Sequence, residues 1–339
     1  RSTLFPYTTL FRSPQVSLPR LILVLAAILI VSVSFTLWRQ AQKAKAEEFA
    51  RLLVVASESL GEAEGLVGLS NERARALIEE VLASLENAQN LSPRSEEVLP
   101  LSAKATELFN LIEKITPVTE DNLLYDLSLQ VEEGRGLSLA GASGVIYAAE
   151  EKSGTTFSLT LGEPPQASEV AVRGVRELAR EGNFLYLRSE GKLSRLNLST
   201  KGVDEPIDFD RYEKVAALDT YLGNIYFLVP EEDQIYKFLN LESSYSRGRG
   251  WLKEALSLRG VVDMAIDGEI WLFTDQGQIL RLVKGVKETF ATNNLPSPFQ
   301  QPRKIFTRPG FKHLYLLDQS GRIVLLNKNG DFVRQFKGE

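Results

Sequence analysis

Few residues in this 339-residue chain are equipped for chemistry. There is one His, His313, and no Cys, which excludes disulfide scaffolds, thiolate metal sites and cysteine nucleophiles and leaves a single candidate base for a serine-type triad. His313 opens an apolar stretch and reads as a strand-edge residue. Asp233, Asp275 and Asp318 recur at or just before short turns, where an aspartate commonly bonds its own backbone; a calcium or lactonase-like carboxylate site is the alternative use of such a series. Ser246-Arg247-Gly248-Arg249-Gly250-Trp251 is the most unusual local feature. Arg247, Arg249 and Trp251 are its candidate ligand-binding residues, because two guanidinium groups beside an indole can grip a phosphate, carboxylate or glycan. A plain connection of the same composition is the alternative. No GxSxG, Walker or GxGxxG pattern follows a strand, so no catalytic residue, metal or cofactor is expected.

The elements that carry these residues form a repeat. From about Asp126 onward the apolar period changes from helical to alternating, bounded by Gly, Asp and Asn. VIYAAE, FLYLRSEGKLSRLN, NIYFLVPEEDQIYKFLN, EIWLFTDQGQILRL and HLYLLDQSGRIVLLN align on Tyr147, Tyr186, Tyr226, Trp271 and Tyr315, at intervals of 39, 40, 45 and 44 residues. Each unit reads as a strand, an anchor strand, a hairpin turn, a third strand and a more polar fourth, which is the grammar of a propeller blade. An antiparallel sandwich has no need of an aromatic at a fixed place in every unit. The expected fold is therefore mainly β: a β-propeller with five visible four-stranded blades, read as a truncated six-bladed ring, with a native five-bladed ring as the alternative. Leu123–Val131, LLYDLSLQV, is expected to be the outer strand that closes it.

Ahead of the repeat lie two other segments. Leu21 to Trp38 is an uncharged apolar run between Arg20 and Arg39, about 27 Å long as a helix, which suits a bilayer core, with Trp38 as interfacial aromatic. A signal peptide cleaved near Ala44-Lys45-Ala46 is the rival, although the apolar run is long for one. Between Gln40 and Thr116, apolar residues recur at helical spacing in three stretches: from Phe49 to Ala63, from Ala74 to Ala88, and from Ala105 to Ile115, ending at Thr116-Pro117. This predicts a helical hairpin stalk, with a homodimer through its apolar stripe as a further use. Arg39, Lys43, Lys45 and Arg51, against Arg20 alone on the other side, would put the stalk in the cytoplasm.

Residues 3–13, TLFPYTTLFRS, resemble the translation of a sequencing-adapter oligonucleotide at all eleven positions. With no Met at position 1, the chain is expected to be a fragment whose upstream part is replaced. The organisation is then adapter (1–13), flank (14–20), transmembrane helix (21–38), helical stalk (39–120) and propeller (121–339). The order of membrane helix, helical hairpin, LLYDLSLQ and blades of the IYxLxxxxGxIxxL kind resembles the C-terminal half of a bacterial membrane-protein family. Its members carry an N-terminal PPM-type phosphatase domain, then a membrane helix and an NHL-like propeller. That resemblance implies a single-pass protein of the bacterial plasma membrane, with a cytoplasmic phosphatase and the propeller outside. No phosphatase motif is present here, so no catalytic residue is carried over.

Composition agrees with a binding role. At 44% hydrophobic and 24% charged the chain can bury a sizeable core, and a net charge of −5 has no basic excess for nucleic acid. The expected function is a membrane-anchored, non-catalytic binding or sensing module for a protein, peptide or glycan. A propeller enzyme of lactonase or lyase type, with carboxylates at the ring centre, is the alternative.

Overall fold

The computed structural model describes residues 18–338 apart from Ser143 and 168–171; the adapter-like segment lies outside the described residues. Two units divide between Ile112 and Glu113.

The first unit is helical. The apolar run and the first amphipathic stretch are one continuous helix, α1 (Leu18–Leu66), followed by α2 (Asn71–Leu91) and α3 (Val98–Ile112). Along α1 the side chains from Leu25 to Trp38 are exposed, and the helix is long and apolar enough to cross a membrane. Further along, Ala56, Leu60 and Ala63 pack with Ala74, Ile78, Val81, Leu85 and Ala88 of α2 and with Val98, Ala105 and Ile112 of α3. Alanine at so many contacts lets the backbones approach closely. The stripe expected to serve a homodimer is thus buried within one chain.

In the second unit the strands are β1 (Ile115–Val118) and five consecutive groups of four. Blade one is β2–β5 (Gly136–Ala142, Val145–Glu150, Thr156–Thr160, Gln166–Ala167), and blade two is β6–β9 (Glu177–Glu181, Phe184–Arg188, Leu193–Asn197, Val203–Asp204). Blade three is β10–β13 (Ala217–Tyr221, Asn224–Val229, Gln234–Phe238, Arg249–Gly250), and blade four is β14–β17 (Val261–Ile266, Ile270–Thr274, Ile279–Val283, Val286–Glu288). Blade five is β18–β21 (Pro302–Phe306, His313–Asp318, Ile323–Asn327, Phe332–Gly338), with β1 added in parallel to β21 as a fifth strand. Within each group the strands are antiparallel and in sequence order, so the chain forms a five-bladed β-propeller.

Two expectations are corrected. Ile115, assigned by its period to a helix, begins β1. Leu123–Val131 is not the closing strand: it contains a short 3-10 turn, Leu127–Leu129, and its Tyr125, Leu127 and Val131 pack on Ala148, Phe157 and Leu159 of blade one. It resembles the other connections between blades, such as Phe209 and Tyr212 before blade three. The strand that joins the two ends of the propeller is β1, where Pro117 is tolerated because an edge strand need not donate every N–H.

The five anchors all lie on the second strand of their blades, and the first four face the next blade. Tyr186 packs with blade three, Tyr226 with blade four and Trp271 with blade five. Opposite them on the inner strands stand Ala140, Ala179, Asp219, Ala265 and Phe306. The first four are 8%, 1%, 4% and 2% exposed, but Phe306 is 43% exposed. The preceding positions, Leu139, Leu178, Leu218, Met264 and Ile305, face the blade before; Leu139 is 65% exposed and the others 5% or less. The first and last members of two otherwise buried series are thus uncovered. Inner strands pack as β2 on β6, β6 on β10, β10 on β14 and β14 on β18, with no comparable packing of β18 on β2 among the described residues. The ring has a seam between blades five and one. On the blade-one side of it lies a cavity of about 910 Å³, lined by Leu139, Ile146, Ala148, Leu159 and the 118–127 connection.

Blade one is held at its rim by Glu150, whose buried carboxylate accepts bonds from the backbone of Arg135, Lys152 and Ser153 and from the Ser153 hydroxyl. Burial works to raise its pKa, but those donors bring it down to about 2. Because the folded value is below the ordinary 4.5, the contribution is complete above about pH 4.5 and is lost as pH falls toward 2. In Glu150→Gln the urea midpoint should therefore change less between pH 5 and pH 2.5 than in the parent chain; parallel profiles would remove Glu150 from the acid response.

Candidate functional site

The inner strands bring together a set of polar side chains that joins the blades. Ser138 Oγ accepts from the Leu178 amide at 3.0 Å, Glu177 Oε2 from Leu218 at 2.9 Å, Asp219 Oδ2 from Ile266 at 2.8 Å and Asp263 Oδ2 from Ile305 at 2.8 Å. Each acceptor takes the N–H of the next blade's inner strand, which gives a directional ladder around the axis. The three carboxylates, 5% exposed or less, are also neutralised. Lys304 Nζ lies 3.0 Å from Glu177 Oε1 and 2.9 Å from Asp263 Oδ1, Arg188 Nε lies 3.0 Å from Glu177 Oε2, and Arg308 Nη1 lies 2.6 Å from Asp219 Oδ1.

The electrostatics follow from burial. Desolvation raises Asp263 to about 6 against the pull of Lys304, with Glu177 adding to the rise, and desolvation raises Asp219 against Arg308. Burial works against the charge on Lys304, but Asp263 and Glu177 outweigh it and raise its pKa. Every carboxylate here has an amide and a cation as partners. Among the described residues no three His, Asp or Glu side chains form a group that could hold a metal ion. These axial residues were missed in the sequence, yet a signal exists: Ser138, Glu177, Asp219 and Asp263 are polar residues on the first strand of each unit, seven to nine positions before their anchors.

Of the aspartates singled out by sequence, none reaches the axis cluster. Asp233 accepts from the Leu258 amide at 2.7 Å, and Asp275 lies against Gly260. Asp318 accepts from Ser320, the Gln300 amide and Arg322, donors that hold its carboxyl below the ordinary range although burial works the other way. His313 starts β19 opposite Asn327, its ring edge-on to Tyr315.

The Ser246–Trp251 loop becomes the outer edge of blade three. Arg249 and Gly250 are β13, with Arg249 opposite Lys237. Its glycines have a packing cause: a Cβ at Gly248 would meet the Phe238 ring, and one at Gly250 the Gln234 side chain. Trp251 is half-buried, and its amide donates to Ile235 O at 2.8 Å. Arg249 and Trp251 line a groove of about 460 Å³ with Lys237, Ser246, Lys253 and Lys284; Arg247 does not line it. The β16–β17 turn reaches this groove through Lys284, and Lys253 N–H donates to Gly285 O at 2.9 Å. Sequence reasoning found two of these residues and missed the three lysines, which come from two blades.

No family profile and no curated protein matches the chain. Among solved structures, a chain of a nidogen/laminin complex is similar at 13% identity and a TM-score of 0.47, covering 60% of this chain and 80% of that one. A catalytically inactive virginiamycin B lyase from Staphylococcus aureus with quinupristin is similar at 13% identity and 0.43, covering 61% and 71%. YCF48 bound to D1 peptide is similar at 12% identity and 0.37, covering 60% and 67%.

Proposed function

We propose that this chain is a membrane-tethered, non-catalytic recognition module whose propeller binds a protein, peptide or glycan outside the cell and passes that state through α1. The observation that carries this is the condition of the axis. Glu177, Asp219 and Asp263 are each committed to a backbone amide and a cation, which leaves at the axis, among the described residues, neither a free general base nor a carboxylate set for calcium. The lactonase or lyase alternative needs one of them released. What is left open to a partner lies at the rim and at the seam. A sixth sheet in the seam would cover Leu139 and Phe306, in keeping with a six-bladed ring. On the family resemblance, the receiver of the signal is a cytoplasmic PPM-type phosphatase domain. A stalk homodimer would have to use residues other than the alanine stripe, which is buried internally.

Topology is the test. In a bacterium expressing the full chain, the propeller should stay with the membrane after carbonate extraction and should be digested by protease added outside spheroplasts. Deleting residues 21–38 should release it. A propeller protected from external protease would overturn the outward orientation, and an undeleted chain extracted by carbonate would overturn the tether.

A further inference from the structure

We infer that the groove between the outer edge of blade three and the β16–β17 turn of blade four is a binding site for an acidic oligosaccharide. This rests on the recognition role proposed above and names its ligand class. Four cations, Lys237, Arg249, Lys253 and Lys284, line the groove with no Asp or Glu among its lining residues. None of the four has a carboxylate within ion-pair distance among the described residues, whereas the axial cations are all paired. Lys237 is held by the Tyr226 ring, 5.4 Å from its centroid, which fixes the ammonium without neutralising it. Four unpaired positive charges around one cleft suit a ligand with repeated oxyanions more than a single small anion. Arg249 supplies a planar fork for a carboxylate or sulfate, and the lysines supply point charges.

The backbone argues against a peptide added here as a strand. A peptide joining this edge as an extra strand needs a run of free N–H and C=O groups. Here β13 has two residues, and the amides that follow are already used: Trp251 donates to Ile235 O, Leu252 to Gln234 Oε1 and Lys253 to Gly285 O. Recognition must therefore come from side chains. Trp251 packs partly on the core of blades three and four and also lines the groove, so the part of its indole left exposed gives an apolar surface for a sugar ring beside charge for its acidic group.

The test uses the full chain in nanodiscs of neutral lipid, titrated calorimetrically with oligouronate, sulfated dextran oligomer, neutral dextran and poly-glutamate of matched charge. The two acidic glycans should bind, with neutral dextran and poly-glutamate at least about tenfold weaker. Arg249→Ser with Lys284→Ser should weaken the acidic glycans by about tenfold or more and flatten the salt dependence, while the exposed Lys312→Ser control binds like the parent. Poly-glutamate binding as tightly as the glycans would overturn the glycan assignment. Glycan binding undiminished in the double variant would overturn the site while leaving a recognition role elsewhere on the propeller intact, and no binding of any of the four polymers by the parent chain would overturn the ligand class; the tether and the orientation are decided separately by extraction and protease.

Discussion

Lys304→Met should lower the stability of the propeller by about 3–5 kcal/mol at pH 7.5, because it leaves Glu177 and Asp263 buried without their shared cation. The loss should shrink on acidification. Asp263 is raised to about 6 in the folded chain from an ordinary 3.8, so between those values the folded state binds a proton that the unfolded state does not. The group's unfavourable contribution is thus present above about pH 6 and relieved as pH falls toward 4. Removing Lys304 takes away the charge that restrains this rise, so the variant should recover part of its deficit at pH 5. Urea unfolding followed through tryptophan emission, Trp271 being buried at the interface of blades four and five, reads both numbers. An equal deficit at pH 7.5 and pH 5 would mean that the proton does not go to this pair.

Trp271→Ala should cost about 3–5 kcal/mol, the range for removing a large buried aromatic. Its ring is 1% exposed, lies edge-on to Phe290 at 5.2 Å and donates Nε1–H to Asp267 at 3.0 Å. Tyr315→Ala removes the equivalent side chain of blade five and should cost less, about 1–2 kcal/mol, because among the described residues Tyr315 has Phe306, Phe311 and His313 as its ring neighbours and faces the seam. A loss for Tyr315→Ala as large as that for Trp271→Ala would show that something covers blade five in solution.

What could be read from the sequence was what repeats locally. The anchors fall on the second strand of every blade, and the hairpin turns fall where Gly191, Gly277 and Gly321 place them. The axis was not legible in the same way, since each bond joins residues 40 to 47 positions apart and depends on which face of an inner strand points to the centre. The Arg-Gly-Arg-Gly-Trp loop reads as a ligand grip because of its two guanidinium groups and its indole; its glycines answer to Phe238 and Gln234, and only Arg249 and Trp251 line the groove, where Lys237, Lys253 and Lys284 join them. LLYDLSLQV has the composition of a strand. Its side chains are instead spent on blade one, and the pairing role falls to four residues around Pro117 that the helical period had claimed.

β1 gives the propeller a mechanical property. The chain enters this unit through a strand bonded to blade five, then continues directly into blade one, so a single four-residue ladder clasps the two ends of a linear series. A pull delivered along the chain from α3 is borne first by the parallel β1–β21 pairing and not by any blade-to-blade face. Slipping that clasp would free the ends of the series while leaving the four inner latches made, so tension applied at the N-terminal end of β1 would widen the seam before it unfolded a blade.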